Sequence, residues 1–177
     1  MENEAFDACM ERMARCNDQG ALEEIYRQYH SYVYYSAYSL LGHREDAEDV
    51  SSRVFIKLWE GRRQYRPGGG HKAYISTITR NLCIDDLRQK QREVPAEKEE
   101  MEGYAGAGEG GMGDVELKEA VEKALSYLSA EQREVFHMKV MGELSFKEIS
   151  QVLGIPLATA AWRYQKAQKI LKGVWAR

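Results

Sequence analysis

Between Val94 and Asp114 the chain reads VPAEKEEMEGYAGAGEGGMGD, rich in glycine and carboxylate and almost free of aliphatic side chains. Such a run buries too little apolar area to offset the entropy lost on ordering it. It is expected to be a flexible tether, and it divides the 177 residues into segments of about 20–92 and about 115–173. A chain of this length accommodates one ordinary domain or two small ones, and the tether favours two.

Both segments carry helical periodicity. Leu22, Ile25, Tyr29, Val33, Ala37 and Leu40 recur at three- and four-residue steps, and Gly42 offers a left-handed C-terminal stop. Ala47, Val50, Val54 and Leu58 mark a second helix, broadened by Phe55 and Trp59 and closed by Gly61. After the loop RPGGGHK a third helix is expected from about Ala73 to Gln91. Beyond the tether, helices are expected over about Val115–Leu128 and Ala130–Met141, the latter capped by Ser129 with Gln132. Ser145 and Glu148 form another capping box, with Leu144 and Ile149 placed as a hydrophobic staple. Gly154 ends that helix, and Pro156 is tolerated at the start of the next. Ala160, Tyr164, Ala167 and Leu171 then form the last buried stripe. No segment alternates with period two, and only three prolines interrupt the chain. The expected fold is all-α: two small helical domains joined by a flexible linker.

Charge is distributed unevenly. The net charge of −3 conceals +6 over residues 61–92 and +5 over residues 151–177, against −6 over residues 1–60 and −7 over residues 93–119. Local fields decide nucleic-acid binding, so the acidic average does not exclude it. Three cysteines without a CxxC pair exclude a disulfide framework and argue against structural zinc. The four histidines are scattered without metal-ligand spacing. No apolar run approaches membrane-spanning length and Met1–Gly20 is charged throughout, so a cytoplasmic protein without membrane insertion is expected.

The short helix, the Gly154 turn and the longer basic helix form a helix-turn-helix pattern. In that arrangement the first helix props the second so that its outward face enters the major groove. Thr159, Trp162, Arg163 and Lys166 are the residues expected there, Arg163 reading guanine or binding phosphate and Lys166 binding phosphate. The third helix carries Arg80, Asn81 and Arg88 along one side, while His71 and Tyr74 at its start could stack an unpaired base or belong to the core. The cluster EDAED suits a helix N-terminus, and Glu48 and Asp49 could present a docking surface. Six tyrosines lie between Tyr26 and Tyr38; Tyr29 and Tyr32 suit the core, and some of Tyr34, Tyr35 and Tyr38 are expected at a rim or interface. No phosphate loop, nucleophile elbow or metalloprotease motif occurs, no catalytic residue is assigned, and no cofactor is called for.

The order of the pieces carries more than any one of them. LEEIYRQYHSYVYYSAYSLLGHREDAEDV, VFIKLWE, YISTITRNLCIDDLRQ, the linker, and ALSYLSAEQREVFHMKVMGELSFKEISQVLGIPLATAAWRYQKAQKILK together resemble an extracytoplasmic-function (ECF) sigma factor, keeping region 2 and region 4. The resemblance implies a non-enzymatic initiation factor with core RNA polymerase and promoter DNA as partners. Its polymerase contacts would be the largest-subunit clamp coiled coil and the flap, and an anti-sigma partner is compatible with it. It implies docking on the clamp by the helix bearing Asp46, Glu48, Asp49 and Arg53. It implies melting of the downstream promoter element by the Arg66–Lys72 loop with Arg80, Asn81 and Arg88, and reading of the upstream element by residues 145–171. Five positions depart from the family pattern: Ser52 and Arg53 stand where Gln and an acid are usual, Tyr74 where Trp is usual, and Ala161 and Trp162 where Lys and Ser are usual. A helix-turn-helix repressor or activator with a sensing or dimerising N-terminal domain, and an adaptor without DNA activity, are the alternatives.

Overall fold

A computed structural model describes residues 1–93 and 123–175. The Val94–Asp114 tether, and the start of the helix expected over Val115–Leu128, lie outside the described residues. Contacts divide the chain into two compact units, Met1–Lys98 and Glu99–Arg177. Every regular element among the described residues is helical.

The first unit contains α1 (Asn3–Cys16), α2 (Gln19–Leu41), α3 (Arg44–Gly61) and α4 (His71–Glu93). α2 is the spine, packing on each of the other three. Asp18 caps it by accepting from the Ala21 amide, and Gly42 ends it at φ 75°, a conformation glycine adopts without Cβ strain. α1 is an addition to the expected plan. Its Phe6, Met10 and Met13 are fully buried, each contributing roughly 1.5–3 kcal/mol of apolar burial. Tyr29, Tyr32, Tyr34 and Tyr38 are all buried and Tyr26 is exposed, so the tyrosine run is core to a greater extent than its spacing implied. Tyr34 and Tyr38 stack at 6.2 Å. α4 hides polar residues: Ser76 donates to the Lys72 carbonyl and bonds the Tyr32 hydroxyl at 2.7 Å, and buried Thr79 donates to the Ile75 carbonyl. Back-bonding of this kind lets hydroxyls enter a core without orphaned donors.

The second unit contains α5 (Ala130–Val140), α6 (Phe146–Leu153) and α7 (Leu157–Trp175), preceded by a helical turn at 123–126. Both expected capping boxes form, at Ser129 with Gln132 and at Ser145 with Glu148. Leu144 and Ile149 are fully buried. α7 packs on α5 and α6; Ala167 and Leu171 join Ala124 and Leu128 in one apolar cluster. Tyr164 stacks on Phe136 at 5.9 Å and meets Phe146 edge-on. His137 is buried in this unit, and desolvation pulls its pKa down to about 4.

Candidate nucleic-acid and docking faces

The helix-turn-helix is locked by its own backbone. Gly154 at φ 65° caps α6 by donating to the Ser150 carbonyl, and the Ser150 hydroxyl donates to the Ile155 carbonyl at 2.6 Å. The Pro156 carbonyl accepts from the Thr159 and Ala160 amides, so Pro156 stands just outside α7 and its missing N–H has no consequence. With Ala160 and Ala167 at zero exposure, the helical turn of roughly 100° per residue places Trp162, Gln165 and Lys169 opposite the core. Trp162 is 55% exposed, and the Lys166 ammonium lies 5.6 Å from its ring centroid.

Arg163 departs from its expected outward position. Its side chain is only 17% exposed, and its guanidinium pairs with Glu131 of α5 at 2.9 Å. The reason is angular: Arg163 lies on the flank of the buried stripe, and the first turn of α5 offers a carboxylate there. Thr159 is half-buried, and Lys166 is exposed as expected. Sequence reasoning passed over Gln165 and Lys169, which three- and seven-residue steps from Trp162 identify.

A second basic surface surrounds the loop from Arg62 to Gly70 and α4. Arg63, Arg66 and Pro67 are exposed, and Gly68 and Gly70 take φ 84° and 82°. His71 is withdrawn from any stacking role. It is buried, stacks on Phe6 at 4.9 Å, and bonds the side chains of Asn3 and Tyr29. Burial drives its pKa down, with Lys72 adding to the effect. Tyr74 packs against Tyr65 at 5.1 Å, and its phenol pKa is raised by burial; it too serves packing. Asn81 and Arg88 are exposed, Arg80 is half-buried, and Arg88 lies 3.9 Å from Asp85.

α3 separates the expected docking residues into two sets. Asp46 pairs with Lys90 at 2.6 Å, and Arg53 bonds Asp86 at 2.8 Å and Asp49 at 3.1 Å. Asp46 and Arg53 therefore tie α3 to α4. Glu48, Asp49 and Ser52 stay exposed, alongside Ile56, an isoleucine left 55% exposed. An apolar side chain ringed by polar ones suits a protein-docking face. Ile56, four residues beyond Ser52, is a residue that helical spacing could have added to the candidate face.

Two family models match the chain. Residues 25–93 match Sigma-70 region 2 and residues 118–171 match Sigma-70 region 4. The chain belongs to the ECF sigma factors. It is 29% identical to the ECF RNA polymerase sigma factor SigE of Mycolicibacterium smegmatis, covering 90% of this chain and 65% of that one. It is 25% identical to SigW of Bacillus subtilis, covering 91% and 92%. The sigma factor RpoE from Bartonella quintana, solved in complex with the anti-sigma factor NepR, shares the fold at a TM-score of 0.69 and 24% identity, covering 87% of this chain and 96% of that one. In this sigma factor α1–α4 lie in the region 2 unit and α5–α7 in the region 4 unit. α1 precedes the first matched residue. Among the described residues no helix is long and apolar enough to cross a membrane, and no cluster of His, Cys, Asp or Glu could hold a metal ion.

Proposed function

We propose that this sigma factor binds core RNA polymerase and directs it to promoters with two separated elements. α7 reads the upstream element, and the Arg66–Lys72 loop with Asn81 and Arg88 engages the downstream element as it opens. The observation that carries this reading is the outward face of α7. Trp162, Gln165, Lys166 and Lys169 stand together there, and no carboxylate among the described residues pairs with Lys166 or Lys169. Free ammonium groups on a rigid helix supply phosphate contacts, and Gln165 supplies a base-edge donor and acceptor. Arg163 is assigned to holding α7 against α5. On region 2, Glu48, Asp49, Ser52 and Ile56 form the polymerase-docking face, with the clamp coiled coil as the surface they meet. The protein has no catalytic role of its own and supplies binding and orientation.

Run-off transcription with purified core polymerase on a library of genomic promoter fragments tests this reading. Specific transcripts appearing only with this protein support it; their absence removes it. Reversing Glu48 and Asp49 to Lys should lower affinity for core polymerase and leave the helical content intact. Charge reversal at a docking rim acts chiefly on association rate and its salt dependence. Unchanged core affinity would remove this surface from the assignment.

A further inference from the structure

The loop between α3 and α4 has one support shared along its length. At its entry the Arg62 guanidinium donates to the Met13 carbonyl at 3.2 Å and to the Asn17 side chain at 2.9 Å, both at the end of α1. In its middle the Tyr65 hydroxyl donates to the Asp7 carboxylate at 2.5 Å, and the Tyr65 ring lies 5.7 Å from Phe6. At its exit the His71 backbone amide and ring bond the Asn3 side chain, and the ring stacks on Phe6. Three anchors, in chain order along the loop, therefore run in reverse order along α1. Between Tyr65 and His71 the chain holds only Arg66, Pro67 and three glycines, two of them at positive φ. A segment of that composition does not hold its own shape, and its position is set from outside.

We propose that α1 is a splint that positions the Arg62–Gly70 loop for strand opening, with Asp7, Asn3 and Asn17 as positioning residues acting through Tyr65, His71 and Arg62. The proposal rests on the assignment of this loop to the downstream element. α1 completes the core through Phe6, Met10 and Met13, but these polar anchors are not needed for that. Asp7 and Asn3 lie on the rim of the packed face and hold loop groups, whereas a helix serving only the core needs its apolar stripe alone. Pre-positioning the loop removes an ordering cost otherwise met while the duplex is being opened. Initial recruitment of duplex promoter, which the proposed function assigns to α7, does not draw on it.

The test uses holoenzyme assembled from core polymerase and full-length chain. Strand opening is followed by permanganate reactivity on a duplex promoter and on the same promoter pre-opened across the downstream element. Asp7→Ala and Tyr65→Phe should each slow opening of the duplex about five- to tenfold, the scale of one net intramolecular hydrogen bond. Both should leave core affinity unchanged and lose most of their defect on the pre-opened template. Amides of residues 63–66 and 68–70 should exchange faster, while those of α2 and α3 do not. Tyr65→Phe removes a single oxygen and keeps the test usable if Asp7→Ala fails to fold. Wild-type opening by Tyr65→Phe, while Arg66→Ala is slow, would overturn the splint and leave the loop assignment standing. Wild-type opening by Arg66→Ala and Lys72→Ala would remove the loop assignment itself. An equal defect on both templates would also overturn the splint, because positioning for opening has no bearing on an opened strand.

Discussion

α4 and α7 are both basic helices, and the charge pattern along the chain treats them alike. In the folded units they differ. Lys90 of α4 is drawn onto Asp46, Arg88 lies near Asp85, and Asp86 holds Arg53. On α7 only Arg163 pairs with a carboxylate among the described residues, while Lys166, Lys169 and Lys172 meet none. A basic block in a sequence counts charges; the field it presents depends on whether counter-charges fold against it. α4 spends part of its charge holding the region 2 unit together, whereas three of the four cations of α7 pair with no carboxylate among the described residues.

The difference can be broken at the level of support. α7 rests on a small core, in which Leu144 is fully buried. Leu144→Ala should cost about 2–5 kcal/mol, read by hydrogen exchange as lost protection in α5–α7 with α4 unaffected. Loss of protection in α4 as well would show that the two basic helices share their stability.

A pH titration separates the units next. His137 titrates near 4 in the folded unit and near 6.5 unfolded. The unfolded state therefore binds the extra proton first, and stability declines as pH falls from about 6.5 toward 4. The loss reaches about 3 kcal/mol by pH 4. Denaturation of the full chain, followed by resonances of α5–α7, should show this slope, and His137→Leu should flatten it. A flat profile in the wild type would mean that water reaches the imidazole. His71 in the region 2 unit is depressed in the same direction by burial, and its ring bonds Asn3 and Tyr29.

Salt sharpens the comparison directly. Lys166→Ala with Lys169→Ala should reduce the log–log salt slope of holoenzyme binding to upstream-element DNA by about two units. Lys90→Ala should change it little, since its charge is already neutralised within the fold. Equal changes would make the two helices equivalent partners for phosphate. The smallest effect concerns the tie between α3 and α4. Arg53→Ala should lower region 2 stability by less than about 1 kcal/mol, because the pair with Asp86 is partly solvated; denaturant midpoints measure it.

Much of the fold was legible along the chain. Capping boxes at Ser129 and Ser145 and the Gly42 and Gly154 stops were readable because capping acts within one turn of helix. The helix-turn-helix was readable because periodicity and its interruption are local as well. α1 was legible in principle, since Phe6, Met10 and Met13 fall at helical spacing, but the charges between them obscured the stripe.

The local code of caps, apolar periods and a glycine-rich interruption determined an all-helical chain with a helix-turn-helix in its second half. The tertiary structure alone decided which polar residues are available. Arg163 is turned to Glu131, His71 is enclosed by Phe6, Asn3 and Tyr29, and Asp46 and Arg53 are used between helices. Each of these outcomes depends on a side chain from another element, 68 residues away in the case of Asn3 and His71, and pairing across elements leaves no periodic trace in either helix.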